Sequence, residues 1–183
     1  MKTLLALSSA LLVVGVSGCA MSGEGPASAG SREMPGATAT LLGPDGASHG
    51  TARVAQVAAG LQVSIEATGL TPGVHAAHVH MTGTCTAPDF ASAGGHWNPT
   101  ARQHGMENPM GSHKGDMPNV TVGADGTGAL TYTIADATLT GGTNPLLDAD
   151  GAAVVIHADP DDNKSDPAGK AGGRIACGAL TPA

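Results

Sequence analysis

The sequence LQVSIEAT, residues 61–68, alternates apolar and polar side chains along its whole length. This period of two is typical of a β-strand that buries one face against a core. Other short apolar stretches are separated by turn-forming residues, and they cover 37–42, 74–81, 120–122, 130–134, 153–156 and 175–180. No stretch shows a convincing amphipathic helix pattern. Short strands with turns between them predict an all-β sandwich or barrel.

The length of 183 residues predicts one domain, or one domain with appendages. Phe, Trp and Tyr occur once each, so the core must be built from Val, Ile, Leu and Ala. Lys and Arg number 8 against 15 Asp and Glu, a formal net charge of −7. This balance argues against a nucleic acid partner, because nucleic acid affinity depends on Lys and Arg that neutralise phosphates.

The N-terminus has the pattern of an export signal. One Lys precedes an apolar stretch, 4–16, which is too short for a membrane-spanning helix. The stretch ends in Val16-Ser17-Gly18-Cys19, which resembles the lipobox of bacterial lipoproteins. We therefore expect 1–19 to be a lipoprotein signal peptide ending at a lipidated Cys19, with the protein anchored in a bacterial cell envelope, on the periplasmic side or the cell surface. The alternative is an ordinary signal that is cleaved nearby, with Cys19 incidental.

The residues after Cys19 divide the chain further. The segment 20–34 is small, polar and aperiodic, which predicts a flexible tether. The folded domain is then 35–183. Cys85 and Cys177 remain as thiols in an exported domain, where a disulfide is the simplest expectation. Two free buried thiols are the alternative.

Two connections are too long for ordinary turns, at 82–118 and 158–173, and loops of such length are usually functional or disordered. The histidines favour function. His78 and His80 are two residues apart on a predicted strand, so their rings leave the same face and can meet one ion. His75 points to the opposite face, which predicts a structural hydrogen-bonding role. His-x-His alone is weak evidence.

The first long loop carries His96, His104, His113 and Asp116, three imidazoles and one carboxylate. Four nitrogen and oxygen ligands suit tetrahedral zinc. His157 adds an imidazole at the end of another predicted strand, whereas His49 is expected to be an ordinary surface or strand residue. The sequence thus predicts a metal-binding constellation.

Several motifs, in this order and spacing, resemble the copper–zinc superoxide dismutase family in its exported bacterial form: HAAHVH (75–80), GHWNP (95–99), RQHG (102–105), HKGD (113–116), VIH (155–157), DD (161–162) and GRIACG (173–178). The resemblance spans roughly 61–180. Together with the strand pattern, it implies a Greek-key β-sandwich or barrel of about eight antiparallel strands. The chain departs from the family at Ala76-Ala77, where Gly-Phe is usual.

The resemblance also implies a ligand set. Copper would be held by four histidines, namely His78, His80, His96 and His157. Zinc would be held by His96, His104, His113 and Asp116, so that the His96 ring bridges both ions. Asp161 matches a carboxylate that links a copper histidine to a zinc histidine. Cys85 and Cys177 match the family's disulfide.

By the same resemblance, the reaction is the dismutation of superoxide to oxygen and hydrogen peroxide. Copper would alternate between two oxidation states, while His96 takes and returns a proton. Arg174 matches the active-site arginine. Because the net charge repels an anion, local cations must attract superoxide, and Lys164 and Lys170 are candidates for this steering. Ordinary solvated loop charges are the alternative for both lysines.

Two other functions stay open. A non-catalytic copper-binding or copper-delivery lipoprotein could use thioethers near the metal loop, at Met81, Met106, Met110 and Met117, because thioethers favour Cu(I). These side chains are more often gap fillers. A dismutase that uses copper alone, with an idle zinc site, is the second alternative. The sequence marks no subunit interface, so it predicts no oligomeric state.

Overall fold

The computed structural model describes residues 35–183. The predicted signal peptide, the predicted lipidation site Cys19 and the predicted tether lie outside the described residues. Ten strands occur in this part of the chain: β1 Gly36–Leu42, β2 Ser48–Val57, β3 Gly60–Ala67, β4 Gly73–His75, β5 Ala77–His80, β6 Val120–Val122, β7 Gly128–Ala135, β8 Ala153–His157, β9 Arg174–Ala179 and β10 Thr181–Pro182. One 3-10 turn, Ala91–Ala93, is the sole helical element among residues 35–183. These residues therefore contain no helix that is long and apolar enough to cross a membrane.

All strand pairs are antiparallel, and their order is β4-β6-β7-β3-β2-β1-β9-β8-β5, with β10 beside β1. β4 and β5 are one run of chain interrupted at Ala76. The first half of that run pairs with β6 and the second half with β8, so the run joins the two ends of the sheet. β3 lies beside β7 rather than beside β4, which gives the Greek-key order.

The all-β prediction is confirmed. Counting β4 and β5 as one strand and omitting the two-residue β10 leaves the eight strands expected. β2 was not predicted, although it pairs with β1 and β3 along most of its length. The buried face of β2 consists of Ala52 and Val54 alone, so the alternation of apolar and polar residues is too short to mark a strand. Hydrogen bonding to β1 and β3 on its two sides stabilises this strand, although its local sequence does not predict one.

The barrel core is aliphatic, as the composition predicts. Its fully buried members include Leu41, Leu61, Val63, Ile65 and Ile156. Burial of each such side chain contributes about 1.5–3 kcal/mol. Trp97 and Met117, from the first long loop, pack against this core and so tie the loop to the barrel.

The predicted disulfide is present between Cys85 and Cys177, whose Cα atoms are 5.7 Å apart. It joins the first long loop to β9. A small second cluster surrounds it, with Phe90 and Val155 among its buried members. The loop is therefore fixed to the barrel at both of its ends, near the disulfide and near Met117.

Candidate metal centre

Four histidine rings converge at one end of the barrel. His78 and His80 leave the same face of β5, and His157 ends the neighbouring strand β8. The loop residue His96 makes a β-bridge to His80, which brings the fourth ring beside the other three. One ring nitrogen from each residue lies within 4.8 Å of the other three. All four residues are buried.

The nitrogens that face each other have no hydrogen-bond partner within residues 35–183. They are Nδ1 of His78 and Nε2 of His80, His96 and His157. The opposite nitrogen of three of these rings is fixed: His78 Nε2 lies 2.8 Å from Asp161, His80 Nδ1 lies 3.0 Å from the Gly94 carbonyl, and His157 Nδ1 lies 3.3 Å from the Gly172 carbonyl. These contacts place the ring protons away from the centre. The free lone pairs therefore suit a metal ion, since an unsatisfied buried polar group costs about 1–3 kcal/mol.

The environment keeps three of these rings neutral. Burial, reinforced by neighbouring imidazoles, lowers the pKa of His80 from 6.5 to about 2. The same causes lower the pKa of His157 to about 3. Burial also lowers the pKa of His96 to about 4, although Asp116 opposes the shift. Neutral imidazoles are the form that binds metals.

A second cluster lies directly beside the first. Oδ1 of Asp116 is 2.9 Å from Nδ1 of His96, 3.0 Å from Nδ1 of His104 and 3.3 Å from Nδ1 of His113. Nδ1 of His113 and Nδ1 of His96 are also 3.3 Å apart. Zinc–nitrogen bonds of about 2.0–2.1 Å in a tetrahedron separate the ligand atoms by about 3.3 Å. The donor set and its spacing therefore fit zinc.

The second cluster favours a charged carboxylate on Asp116 and a protonated ring on His104. Burial would raise the pKa of Asp116, but hydrogen bonds from His104, His113 and His96 outweigh burial and lower it. Its Oδ2 accepts backbone N–H groups of Gly105 and His113, at 2.9 and 3.0 Å. Burial opposes protonation of His104, yet Asp116 and Asp161 together raise its pKa to about 9. A metal that binds this cluster must therefore displace a proton.

His96 belongs to both clusters. Its Nδ1 faces Asp116 and its Nε2 faces the other histidines. The His96 ring lies 3.9 Å from the His78 ring, measured between centroids. The predicted shared ring is thus placed between the two groups.

Asp161 connects the clusters on their buried side. Its Oδ2 lies 2.8 Å from His78 Nε2 and its Oδ1 lies 3.0 Å from His104 Nε2. Asn119 brackets the Asp161 backbone with two hydrogen bonds, at 2.8 and 3.0 Å. Gly169 packs on this carboxylate so closely that a Cβ would lie 1.8 Å from Oδ1. Asn119 and Gly169 were not predicted, because their contacts join distant parts of the chain and leave no local pattern.

The remaining histidines have the roles that the strand pattern suggests. His75 places Nδ1 2.9 Å from the His157 carbonyl and Nε2 2.8 Å from the Thr71 carbonyl, away from the clusters. This ring therefore links β4 to the end of β8. His49 is partly exposed on β2 and contacts the Thr68 carbonyl at 3.3 Å.

An open cleft of about 340 Å³ reaches the clusters from solvent. It is lined by His80, Gly95, His96, His113, His157, Pro167, Ala168 and Arg174. The Arg174 guanidinium donates to the carbonyls of Phe90 and Gly94, at 2.5 and 2.6 Å. Burial lowers its pKa, and Asp89 partly offsets this shift. Two of five donor hydrogens are engaged, so the others can meet an anion in the cleft.

The two predicted steering lysines do not line the cleft. Lys164 pairs with Glu107 at 2.8 Å, and Lys170 pairs with Asp162 at 3.2 Å. Each ammonium therefore has a carboxylate beside it that weakens its field at a distance.

A nearly closed antiparallel barrel that carries two adjacent histidine-rich clusters with one shared ring defines a metal-binding β-barrel protein. Residues 48–180 match the family model described as "Copper/zinc superoxide dismutase (SODC)". The copper–zinc superoxide dismutase of Caulobacter vibrioides is 44% identical over 147 residues, which are 79% of this chain and 84% of that one.

Two solved structures agree. A "SOD-like protein" of Bacillus subtilis, in a double mutant that replaces a tyrosine and a proline by histidines, is 41% identical with a TM-score of 0.75, over 78% of this chain and 95% of that one. The copper–zinc superoxide dismutase of Brucella abortus is 26% identical with a TM-score of 0.62, over 80% and 99%. The chain belongs to the copper/zinc superoxide dismutase family. It is therefore an enzyme of this type, with copper and zinc as its cofactors.

Proposed function

We propose that the chain dismutates superoxide at a copper held by His78, His80, His96 and His157. One observation carries this assignment: the four nitrogens that converge are buried and have no other partner within residues 35–183. Bound copper supplies one-electron chemistry, which zinc lacks. The protein contributes neutral rings in fixed orientations and a cleft that opens on them.

Zinc is assigned to His96, His104, His113 and Asp116. The support is the near-tetrahedral spacing of their ligand atoms. His96 would then serve both sites, because its Nδ1 faces Asp116 and its Nε2 faces the other three histidines. With both ring protons displaced by the two ions, Nε2 would be the atom of this ring that could take up a proton when copper releases it. Zinc, when bound, would fix the orientation of the His96 ring.

Arg174 binds the substrate anion. Its guanidinium is fixed by two carbonyls and lines the same cleft as His80, His96 and His157. A permanent positive charge in a cleft of an acidic protein concentrates a small anion there. Lys164 and Lys170 stay predicted steering residues, although their carboxylate partners favour a smaller part than that of Arg174.

The His96→Ala variant tests the bridge, with His49→Ala as the matched control. Metal content and the visible spectrum of the copper form are measured beside superoxide consumption. We expect His96→Ala to alter the copper spectrum and abolish zinc-dependent changes in it, while His49→Ala changes neither. An unchanged copper spectrum in His96→Ala would refute the bridge.

A copper-binding or copper-delivery role is the second candidate. Met81, Met106 and Met110 are exposed, whereas Met117 is fully buried and fills the core. A Bacillus subtilis relative is named "superoxide dismutase-like" rather than superoxide dismutase. This name favours keeping a non-catalytic role as the second candidate. Leucine at the three exposed methionines should slow copper uptake from limiting supply if this role operates. Normal uptake and full dismutation would dismiss it.

The cellular role rests on residues outside the described part of the chain. The lipobox-like ending at Cys19 supports export and lipid anchoring to a bacterial envelope. A disulfide between Cys85 and Cys177 suits an oxidising compartment. From that position the enzyme would remove superoxide at the envelope.

A further inference from the structure

The loop 158–173, between β8 and β9, is fastened to the loop that carries the zinc ligands. The Glu107 N–H donates to the Asn163 carbonyl at 3.0 Å, and the Lys164 ammonium pairs with the Glu107 carboxylate at 2.8 Å. A Cβ on Gly105 would lie 2.3 Å from the Asn163 carbonyl oxygen, so the two backbones are in direct contact. Neither loop can move here without displacing the other.

Asp166, in the same loop, contacts the backbone of one of the candidate zinc ligands. Its Oδ1 accepts the backbone N–H of His104 at 2.7 Å. Both ring nitrogens of His104 are already engaged, Nδ1 beside Asp116 and Nε2 with Asp161. Three carboxylates therefore contact His104, and two of them, Asp161 and Asp166, come from the same loop.

The residues after Asp166 form one wall of the cleft. Pro167 and Ala168 line it together with the histidines and Arg174. The proline ring fixes its own φ, which limits how far the wall can move relative to Asp166. Gly169 then turns back and packs on the Asp161 carboxylate. The cleft wall thus lies between Asp166, which precedes it, and Gly169, which packs on Asp161, and both carboxylates contact His104.

We propose that Asp166 is a positioning residue, which transmits the position of a zinc ligand, His104, to the Pro167–Ala168 wall of the substrate cleft. The inference rests on the proposed function, because it assigns His104 to zinc. Bound zinc would fix the His104 ring, and the hydrogen bond from the His104 N–H to the Asp166 carboxylate would pass that order to the wall. Without this bond, zinc would still bind, but the wall would respond to it much less, through Asp161 and Gly169 alone.

Hydrogen exchange with and without zinc tests this directly. The amides of Gly169 and Ala171 are useful reporters, because they donate to the carbonyls of Ser165 and Ala168 at 2.7 and 3.2 Å. In the unmodified protein, zinc should slow exchange at both amides. In Asp166→Ala, zinc stoichiometry should be unchanged, but the slowing caused by zinc should shrink by about tenfold or more, as expected for loss of a hydrogen bond to a charged group.

Asp166→Asn is the matched variant. It removes the same charge but keeps an oxygen acceptor, so its zinc effect should lie between those of the unmodified protein and Asp166→Ala. Asp150→Asn, in an exposed turn outside the loop 158–173, controls for net charge and should behave as the unmodified protein. Trypsin gives a second readout, since Lys164 and Lys170 flank the wall. Zinc-loaded Asp166→Ala should be cleaved faster there than zinc-loaded Asp166→Asn.

Equal protection by zinc in Asp166→Ala and the unmodified protein would overturn the proposal. A merely structural role would lower protection equally with and without zinc, and that outcome also overturns it. If Asp166→Ala does not fold, the slowing of exchange by zinc is compared between Asp166→Asn and Asp150→Asn instead, and it should be smaller in Asp166→Asn. None of these measurements involves superoxide, so their failure is distinct from a failure to dismutate.

Discussion

Asp161 contacts His78 through a buried hydrogen bond of 2.8 Å between Oδ2 and Nε2. Its second oxygen contacts His104 at 3.0 Å. One carboxylate therefore orients a ring of each cluster. Such outer partners set the orientation and the protonated nitrogen of a metal-binding histidine.

Asp161→Asn should weaken zinc binding by about 10–100-fold, the usual effect of losing such a partner. The amide would offer one oxygen and one N–H group to two ring N–H donors, so one contact becomes repulsive. Competition with a chelator of known affinity measures the change. Asp162→Asn is the control, because its carboxylate contacts Ser165 and Lys170 instead. Equal zinc affinity in the two variants would contradict the role of Asp161.

Much of this centre follows from sequence. The spacing of two residues between His78 and His80 predicts that both rings share a face of a strand, and the structure shows this. The contribution of Asp166 could not be predicted, because its partner His104 lies 62 residues earlier and no local pattern marks the contact. β2 was missed for a related reason: strand pairing on both sides forms it, and Ser48–Thr51 carries no apolar alternation.

Arg174→Ala should slow superoxide consumption by about tenfold or more at low salt, while copper content stays normal. The guanidinium lines the cleft but is not among the converging ligands. Raising ionic strength should slow the unmodified enzyme and have a much smaller effect on the variant. Rapid-mixing assays at several salt concentrations measure both. Arg53→Ala, on β2, removes the same charge away from the cleft; if it gave the same loss, net charge rather than Arg174 would be responsible.

The metal-free protein should lose stability as the pH falls below about 6.5. His80, His157 and His96 have pKa values lowered to about 2, 3 and 4, and unfolding returns each toward 6.5. The unfolded chain thus takes up as many as about three protons that the folded chain excludes, each worth about 1.4 kcal/mol per pH unit in that window.

His104 has the opposite sign. Its pKa is raised to about 9, so its contribution is complete below about 6.5 and is lost as the pH rises toward 9. The free energy of unfolding of the metal-free protein should therefore peak near pH 6.5. Denaturant titrations with a chelator present, across this range, measure the curve. Stability that rises from pH 6.5 to pH 5 would show that the three rings are not held neutral.

Removal of the disulfide should destabilise the domain by about 4–5 kcal/mol in the loop-entropy model, and in practice by somewhat less. The bond closes a loop of 92 residues that contains most of the metal ligands. The double variant Cys85→Ser/Cys177→Ser is compared with the unmodified protein by denaturant unfolding, both without metal. A free energy of unfolding unchanged to within about 1 kcal/mol would contradict the expectation.

Cys19→Ser should release the protein from membranes. If Cys19 carries lipid, its acyl chains supply about 0.8 kcal/mol per buried methylene group, and two or three chains together give stable anchoring. Fractionation of cells that express the full chain should find the unmodified protein with membranes and the variant in the soluble fraction, with equal dismutase activity per molecule. Metabolic labelling with a fatty acid should mark the unmodified protein and leave Cys19→Ser unlabelled. Cys85→Ser/Cys177→Ser separates loss of a thiol from loss of the anchor, since it should keep both the label and the membrane association; if Cys19→Ser did the same, the site would not be lipidated.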